Sequence, residues 1–273
     1  MSEFKNFYIF TGKGGVGKTT LALAFCEVLK KHKKKYLYIS LKTNKLNASD
    51  KKMNKPDDVI EQLGINSEVL DLKVSVRGYI AKKLKSETVA KWIVKTPFFQ
   101  SLVNMIPGFS YVIYLGYLLE KLTDDPELTI VLDSPSSGHA LTMLESTKNF
   151  NEIFEGGVIY EDTKKMLEVL TSKSFTQINI ITLPTTLAVN EALELESSIK
   201  SISPEYSVKI TCNNCLFSFA SNSQPDFLKV KISNEEEALR KNKDLKTNAI
   251  PHSLFNDAHA LIKDLVPSVK NLV

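Results

Sequence analysis

With 273 residues, 43% of them apolar and 24% charged, the chain has the make-up of a soluble globular protein long enough for one sizeable core. Its net charge of +4 is too small to argue for a nucleic-acid partner, and none is expected. Only three cysteines are present, Cys26, Cys212 and Cys215, so a reduced cytoplasmic setting is the default, with a peripheral position at the membrane as a variant of it.

Apolar Phe7 to Thr11 is a short run leading into glycines and predicts a buried first strand, not a secretory signal. Thr19 to Lys31 predicts a helix, with Leu21, Phe25, Val28 and Leu29 on one face. The lysines from Lys30 to Lys35 suit the solvated C-terminal end of that helix. Tyr36 to Leu41 predicts a second strand, Lys42 to Pro56 a polar loop, Asp58 to Leu63 a short helix and Glu68 to Val74 a third strand.

From about Ser75 to Thr123 the signals turn helical, which predicts a helical insertion on an α/β core. Thr96 to Leu119 carries no charge and is long enough to span a bilayer, but Pro107-Gly108 breaks it. Two buried helices, or an apolar surface that receives a client, fit it better than a membrane span. Leu128 to Asp133 predicts a strand, followed by helices at Ala140 to Phe150 and Glu161 to Leu170. Ile178 to Leu183 and Val208 to Cys212 predict strands on either side of a helix from Leu187 to Ile202. A last strand is expected at Thr247 to Ile250 and a closing helix at Leu254 to Leu265. This alternation predicts a doubly wound, mostly parallel sheet: one α/β domain over 1–273 with a helical subdomain at about 75–123.

The chemistry concentrates in Gly12-Lys13-Gly14-Gly15-Val16-Gly17-Lys18-Thr19, which satisfies the G-x-x-x-x-G-K-[ST] phosphate-loop pattern between a strand and a helix. Glycines let backbone amides turn inward, and those amides with the helix N-terminus bind anionic phosphate. Lys18 is expected to reach the terminal phosphates and the Thr19 hydroxyl to ligate Mg²⁺, with Thr20 following on. The cofactors expected are therefore ATP and Mg²⁺.

Gly-Lys-Gly-Gly-Val-Gly-Lys-Thr-Thr, with Lys13 inside the loop, resembles the deviant phosphate loop of the MinD, ParA, nitrogenase iron protein and ArsA families. The resemblance implies a dimer in which Lys13 reaches the partner's nucleotide and helps to stabilise phosphoryl transfer. Asp133-Ser134-Pro135-Ser136-Ser137-Gly138-His139 is similar to the switch of the ArsA/GET ATPases. It implies a catalytic and metal-holding role for Asp133 and a γ-phosphate response at Gly138-His139. The segment from Thr182 to Leu195, Asn213 at the end of the strand Ile210 to Cys212, and Ala249-Ile250-Pro251 also resemble that family. They imply adenine contacts at Asn213 and Pro251. The chain is thus identified as similar to bacterial single-domain ArsA-like ATPases of the anion-transporting type.

Several positions depart from that pattern. Lys42 stands where the family has an Asp that prepares the attacking water, and a charged lysine accepts no proton. Hydrolysis is then slow, or depends on a partner subunit, unless another acid such as Asp50 substitutes; the chain also fits a paralogue with an altered switch. Thr185 replaces a Glu. Cys212-x-x-Cys215 has zinc-ligand spacing but brackets Asn213, which favours core or strand-end cysteines over a shared metal. The leading expectation is a nucleotide-switched dimeric ATPase, as a homo-dimer or a hetero-dimer with an ArsA-like paralogue. The alternatives are a weakly or non-hydrolysing regulatory subunit and a targeting chaperone with a membrane-protein client. Arsenite transfer is the weakest, for want of clustered thiols; DNA partitioning would need a basic surface engaged only in the ATP dimer, for which the Lys30 to Lys35 cluster leaves room without supporting it.

Overall fold

A computed structural model describes residues 4–41, 56–84, 86–134, 136–219, 225–240 and 243–272. Six strands form one parallel sheet: β1 (Phe7–Thr11), β2 (Tyr36–Leu41), β3 (Ser67–Leu70), β4 (Thr129–Asp133), β5 (Thr176–Thr182) and β6 (Val208–Cys212). Their order is β3-β2-β4-β1-β5-β6, with every neighbouring pair parallel. All carboxyl ends therefore open on one edge, where ligand crevices of such sheets lie.

Both faces of the sheet are covered, which is why its central strands read as unbroken apolar runs. Phe7, Ile9, Ile130, Leu132, Ile178 and Ile180 pack into one core layer. Tyr8, Phe10, Tyr38, Val131 and Ile181 pack into the other. The second layer is closed by α1 (Lys18–Lys31), α2 (Pro56–Leu63) and α12 (Ala258–Val269). The first is closed by α6 (Phe109–Asp124), α7 (Ser137–Ile153), α8 (Val158–Thr171) and α9 (Thr186–Ile202).

Ahead of α6 come α3 (Leu72–Leu84), α4 (Glu87–Lys95) and α5 (Pro97–Met105). The uncharged stretch is divided between α5 and α6, and Gly108 at φ 79° caps α6. Among the described residues no helix is long and apolar enough to cross a membrane. Val112, Leu115 and Leu118 instead join the main core. The Lys83 ammonium lies 2.6 Å from Asp162 of α8, and the Tyr79 hydroxyl donates to the same buried carboxylate. That fastens α3 to the body of the fold.

Three expectations are corrected. The third strand ends at Leu70, and Leu72 to Val74 begin α3: as an edge strand, β3 pairs with β2 over four residues. The expected last strand is a single bridge between Cys215 and Pro251, preceded by the short helix α11 (Lys243–Thr247). Leu254 to Asn256 lie outside the closing helix, which starts at Ala258 because Asp257 caps it and accepts from the Ala260 amide at 2.9 Å. The sequence reading assigned nothing between Cys212 and Thr247, where a 3-10 turn (Phe217–Phe219) and α10 (Asp226–Leu239) also lie. Lys42, Asp50 and Pro135 lie outside the described residues.

Candidate functional site

The phosphate loop leaves β1 at Thr11 and enters α1 at Lys18. Gly12 has φ 141°, and a Cβ there would sit 2.2 Å from the Ile181 carbonyl oxygen. At Gly17, φ is 92° and a Cβ would meet the Asn213 Nδ2 at 2.3 Å. Both positions therefore exclude a side chain by conformation and by space. Val16 is buried in the core layer beneath α1 and anchors the middle of the loop. Gly14 and Gly15 face open space. No acidic residue of α1 itself occupies its first turn.

Lys18 is buried, and its ammonium donates to the Lys13 carbonyl at 2.8 Å. Burial pushes its pKa down, while the nearby Asp133 charge opposes that shift. The Lys13 side chain is more than half exposed and its ammonium lies 2.8 Å from the Glu191 carboxylate on α9. Thr20 is half-buried in the first turn of α1.

Asp133 ends β4 and is paired in register with Phe10 of β1 and Ser40 of β2. Its Oδ2 accepts from the Thr19 hydroxyl at 2.6 Å and from the Tyr38 hydroxyl at 2.9 Å. Its Oδ1 is buried with no hydrogen-bond partner. Burial raises the Asp133 pKa, against the lowering effect of the two hydroxyl donors and the Lys18 charge. A threonine hydroxyl and a carboxylate with one vacant oxygen are hard donors, and they fit a cation of the magnesium type.

Asn213 follows β6 and is pinned twice. Its amide donates to the Thr182 carbonyl at 2.8 Å, and its Nδ2 donates to the Val16 carbonyl of the phosphate loop at 2.9 Å. Asn214 takes the left-handed conformation at φ 64° and accepts from the His252 ring. Pro251 is brought to Cys215 rather than to the loop itself. The Ile250 amide donates to the Cys212 carbonyl at 2.7 Å and the Cys215 amide to the Ile250 carbonyl at 2.9 Å. Beside this corner lies a cleft of about 610 Å³, lined among others by Pro184, Thr185, Asn214, Lys231 and His252. Cys26, Cys212 and Cys215 are all buried, and none forms a disulfide.

Gly138 and His139 open α7, and the Tyr111 hydroxyl of α6 is hydrogen-bonded to His139 Nδ1. Phe109 and Phe150 stack at 5.7 Å between ring centroids along the same pair of helices. Sequence reasoning gave no role to Tyr38, Glu191 or Tyr111. Glu191 lay within a family-like segment, and Tyr38 was a hydroxyl in an apolar strand. Nothing local marks Tyr111, whose partner is 28 residues away.

Residues 5–159, more than half of the chain, match the family described as "Anion-transporting ATPase". ATPase BagA of Mycobacterium tuberculosis is 24% identical over 202 residues, covering 68% of this chain and 58% of that protein. The match thus spans about three fifths of the mycobacterial relative's length. An Aquifex aeolicus protein provisionally named arsenical pump-driving ATPase 2 is 23% identical over 269 residues, covering 85% of this chain and 87% of that protein.

Proposed function

Because the chain belongs to the anion-transporting ATPase family, we propose that it binds ATP with magnesium at the Gly12–Thr20 loop and hydrolyses it as a nucleotide-switched dimer. One observation carries the reading: Thr19 and Asp133, 114 residues apart in sequence, meet at 2.6 Å at the mouth of the loop. Loop amides and the N-terminal dipole of α1 attract the phosphates. Lys18 exchanges the Lys13 carbonyl for a phosphate oxygen, gaining the counter-charge that its burial lacks. Thr19 and Asp133 hold magnesium, which when bound neutralises charge on the terminal phosphates. Asn213 and Pro251 bound the adenine side, where Asn213 also steadies the loop through Val16.

Lys13 is the residue that turns binding into a switch. It leaves Glu191 to reach a partner's nucleotide, so ATP favours the closed pair by contacts absent in the open one. The change at Asp133–His139 then passes to the helical region through α6, which rides on α7 at Tyr111 and Phe109. That region is the surface for a partner or a membrane-protein client. The pair is a homo-dimer or a hetero-dimer with an ArsA-like paralogue, in the cytoplasm or at the membrane face.

A second reading, a weakly or non-hydrolysing regulatory subunit, is favoured by Lys42 in place of the acid that would prepare water. A single-turnover assay on the purified chain decides between them. Phosphate release that disappears in Lys18→Ala supports the enzyme; tight ATP uptake without release supports the regulatory subunit. Absence of adenine-nucleotide uptake by folded protein with magnesium present would sink both.

A further inference from the structure

We infer that Tyr38 is a positioning residue for the metal site, its hydroxyl setting the rotation of the Asp133 carboxylate so that Oδ1 stays available to a cation. This rests on the reading of Thr19 and Asp133 as the magnesium pair. Tyr38 lies on β2 opposite Val131 of β4, while Asp133 is two residues further along β4 and on the same face. Such diagonal neighbours are about 7–8 Å apart, beyond an aliphatic side chain but within reach of an aromatic one. A tyrosine spans that gap and arrives with a donor. Its hydroxyl meets Asp133 Oδ2 at 2.9 Å in a fully buried contact.

The choice of residue is informative because Tyr38 is only 2% exposed and sits among Tyr8, Phe10, Phe25 and Val131. A leucine or phenylalanine would pack such a strand without desolvating a hydroxyl, which costs free energy unless it is bonded. Here the hydroxyl is bonded to the carboxylate that the site needs. Oδ2 carries both donors, Thr19 and Tyr38, and Oδ1 carries none. Once the Thr19 hydroxyl turns to the cation, Tyr38 is the donor that keeps Oδ2 in place. Without it the carboxylate turns about its terminal torsion, which is soft and roughly two-fold, and presents its oxygens at random. A hydrogen bond to the ionised form also favours the charge that a cation requires.

The test is ATP binding by calorimetry across a magnesium titration, with parallel runs in chelator, for the intact chain and for Tyr38→Phe, Asp133→Ala and the double variant. Tyr38→Phe is expected to raise the half-saturating magnesium concentration by about ten- to hundredfold, the worth of one hydrogen bond to a charged group. Magnesium-free nucleotide affinity should stay within about twofold, since the hydroxyl's bond to Asp133 bears on the cation rather than on the phosphates. In the Asp133→Ala background the same change should add nothing. Tyr38→Met, apolar and without a hydroxyl, should repeat the magnesium shift if the phenylalanine variant folds poorly. If Asp133→Ala moves the magnesium dependence and Tyr38→Phe does not, this inference fails while the metal pair stands. A lowered thermal midpoint with unmoved magnesium dependence likewise reduces Tyr38 to packing. If Asp133→Ala leaves the magnesium dependence untouched, the metal pair itself is wrong, and the role of Tyr38 falls with it.

Discussion

The Lys13 ammonium lies 2.8 Å from the Glu191 carboxylate, so the extra lysine of the phosphate loop is paired within its own chain. Glu191 sits in the second turn of α9, whose N-terminus is fixed by Thr185 accepting from the Ala188 amide. The pair ties the phosphate loop to the helix that follows β5. Lys13 is more than half exposed there, so the bond is held loosely enough to be exchanged for a phosphate.

Glu191→Gln should therefore tighten ATP-dependent self-association, by about two- to fivefold, because an exposed ion pair is worth no more than that. Sedimentation velocity with ATP and magnesium reads it directly. Weaker association in the variant would mean that Glu191 serves the closed pair rather than the open one.

Gly17→Ala should remove nucleotide binding. It combines a φ of 92° with a Cβ placed 2.3 Å from Asn213 Nδ2. Asn213→Ala in the same chain relieves the collision but not the backbone strain, so it should rescue little. Asn213→Ala alone leaves the Val16 carbonyl without its donor and should cost about 1–3 kcal/mol of stability. Thermal melts and calorimetry on the three variants check this; full rescue in the double variant would show that φ is not limiting.

Asp133 supplies a pH-dependent prediction. Burial holds its folded pKa above the ordinary carboxylate value of 3.8, so the folded chain binds the proton more tightly than the unfolded chain. The resulting stability is fully present below the unfolded value and is lost as pH rises through the folded one. At neutral pH the nucleotide-free protein carries a buried charge at a cost. Asp133→Asn should raise its thermal midpoint there by about 2–4 °C, the shift of ~1 kcal/mol in a chain of this size. The gain should shrink as the pH is taken down toward 4. A gain that grows in acid would contradict the assignment.

Tyr111→Phe should uncouple the helices without disturbing the nucleotide. The hydroxyl joins α6 to His139 at the start of α7, whereas the ring keeps its own packing. ATP affinity should be unchanged within about twofold, one neutral exposed hydrogen bond being worth little. Hydrogen exchange along α6 should slow on ATP binding in the parent chain and lose that response in the variant. An undiminished response would route the coupling through Phe109 and Phe150 instead.

Much of this was legible in the residues. Strands β1, β4 and β5 were readable because both faces of each are buried, so apolar runs mark them without help from periodicity. The loop was readable because phosphate binding needs glycines and a lysine at set spacing. The closing helix was misplaced by four residues because its start depends on the Asp257 cap rather than on the apolar pattern. The last strand failed because Thr247 is taken into α11 and the chain beyond it makes a single bridge, at Pro251. α10 was missed because its apolar signal is weak and its outer side, with Phe227 and Val230, is exposed.

By itself the sequence determined the glycine-rich turn between a strand and a helix, the parallel α/β layering and the family, since each is written in local spacing. Which groups the loop meets was decided only by the folded chain. Asp133 meets Thr19 from the end of β4, Asn213 meets Val16 from beyond β6, Glu191 meets Lys13 from α9, and Tyr38 of β2 stands behind Asp133. Contacts of that range leave no local pattern, because each residue is also an ordinary choice for the element that carries it.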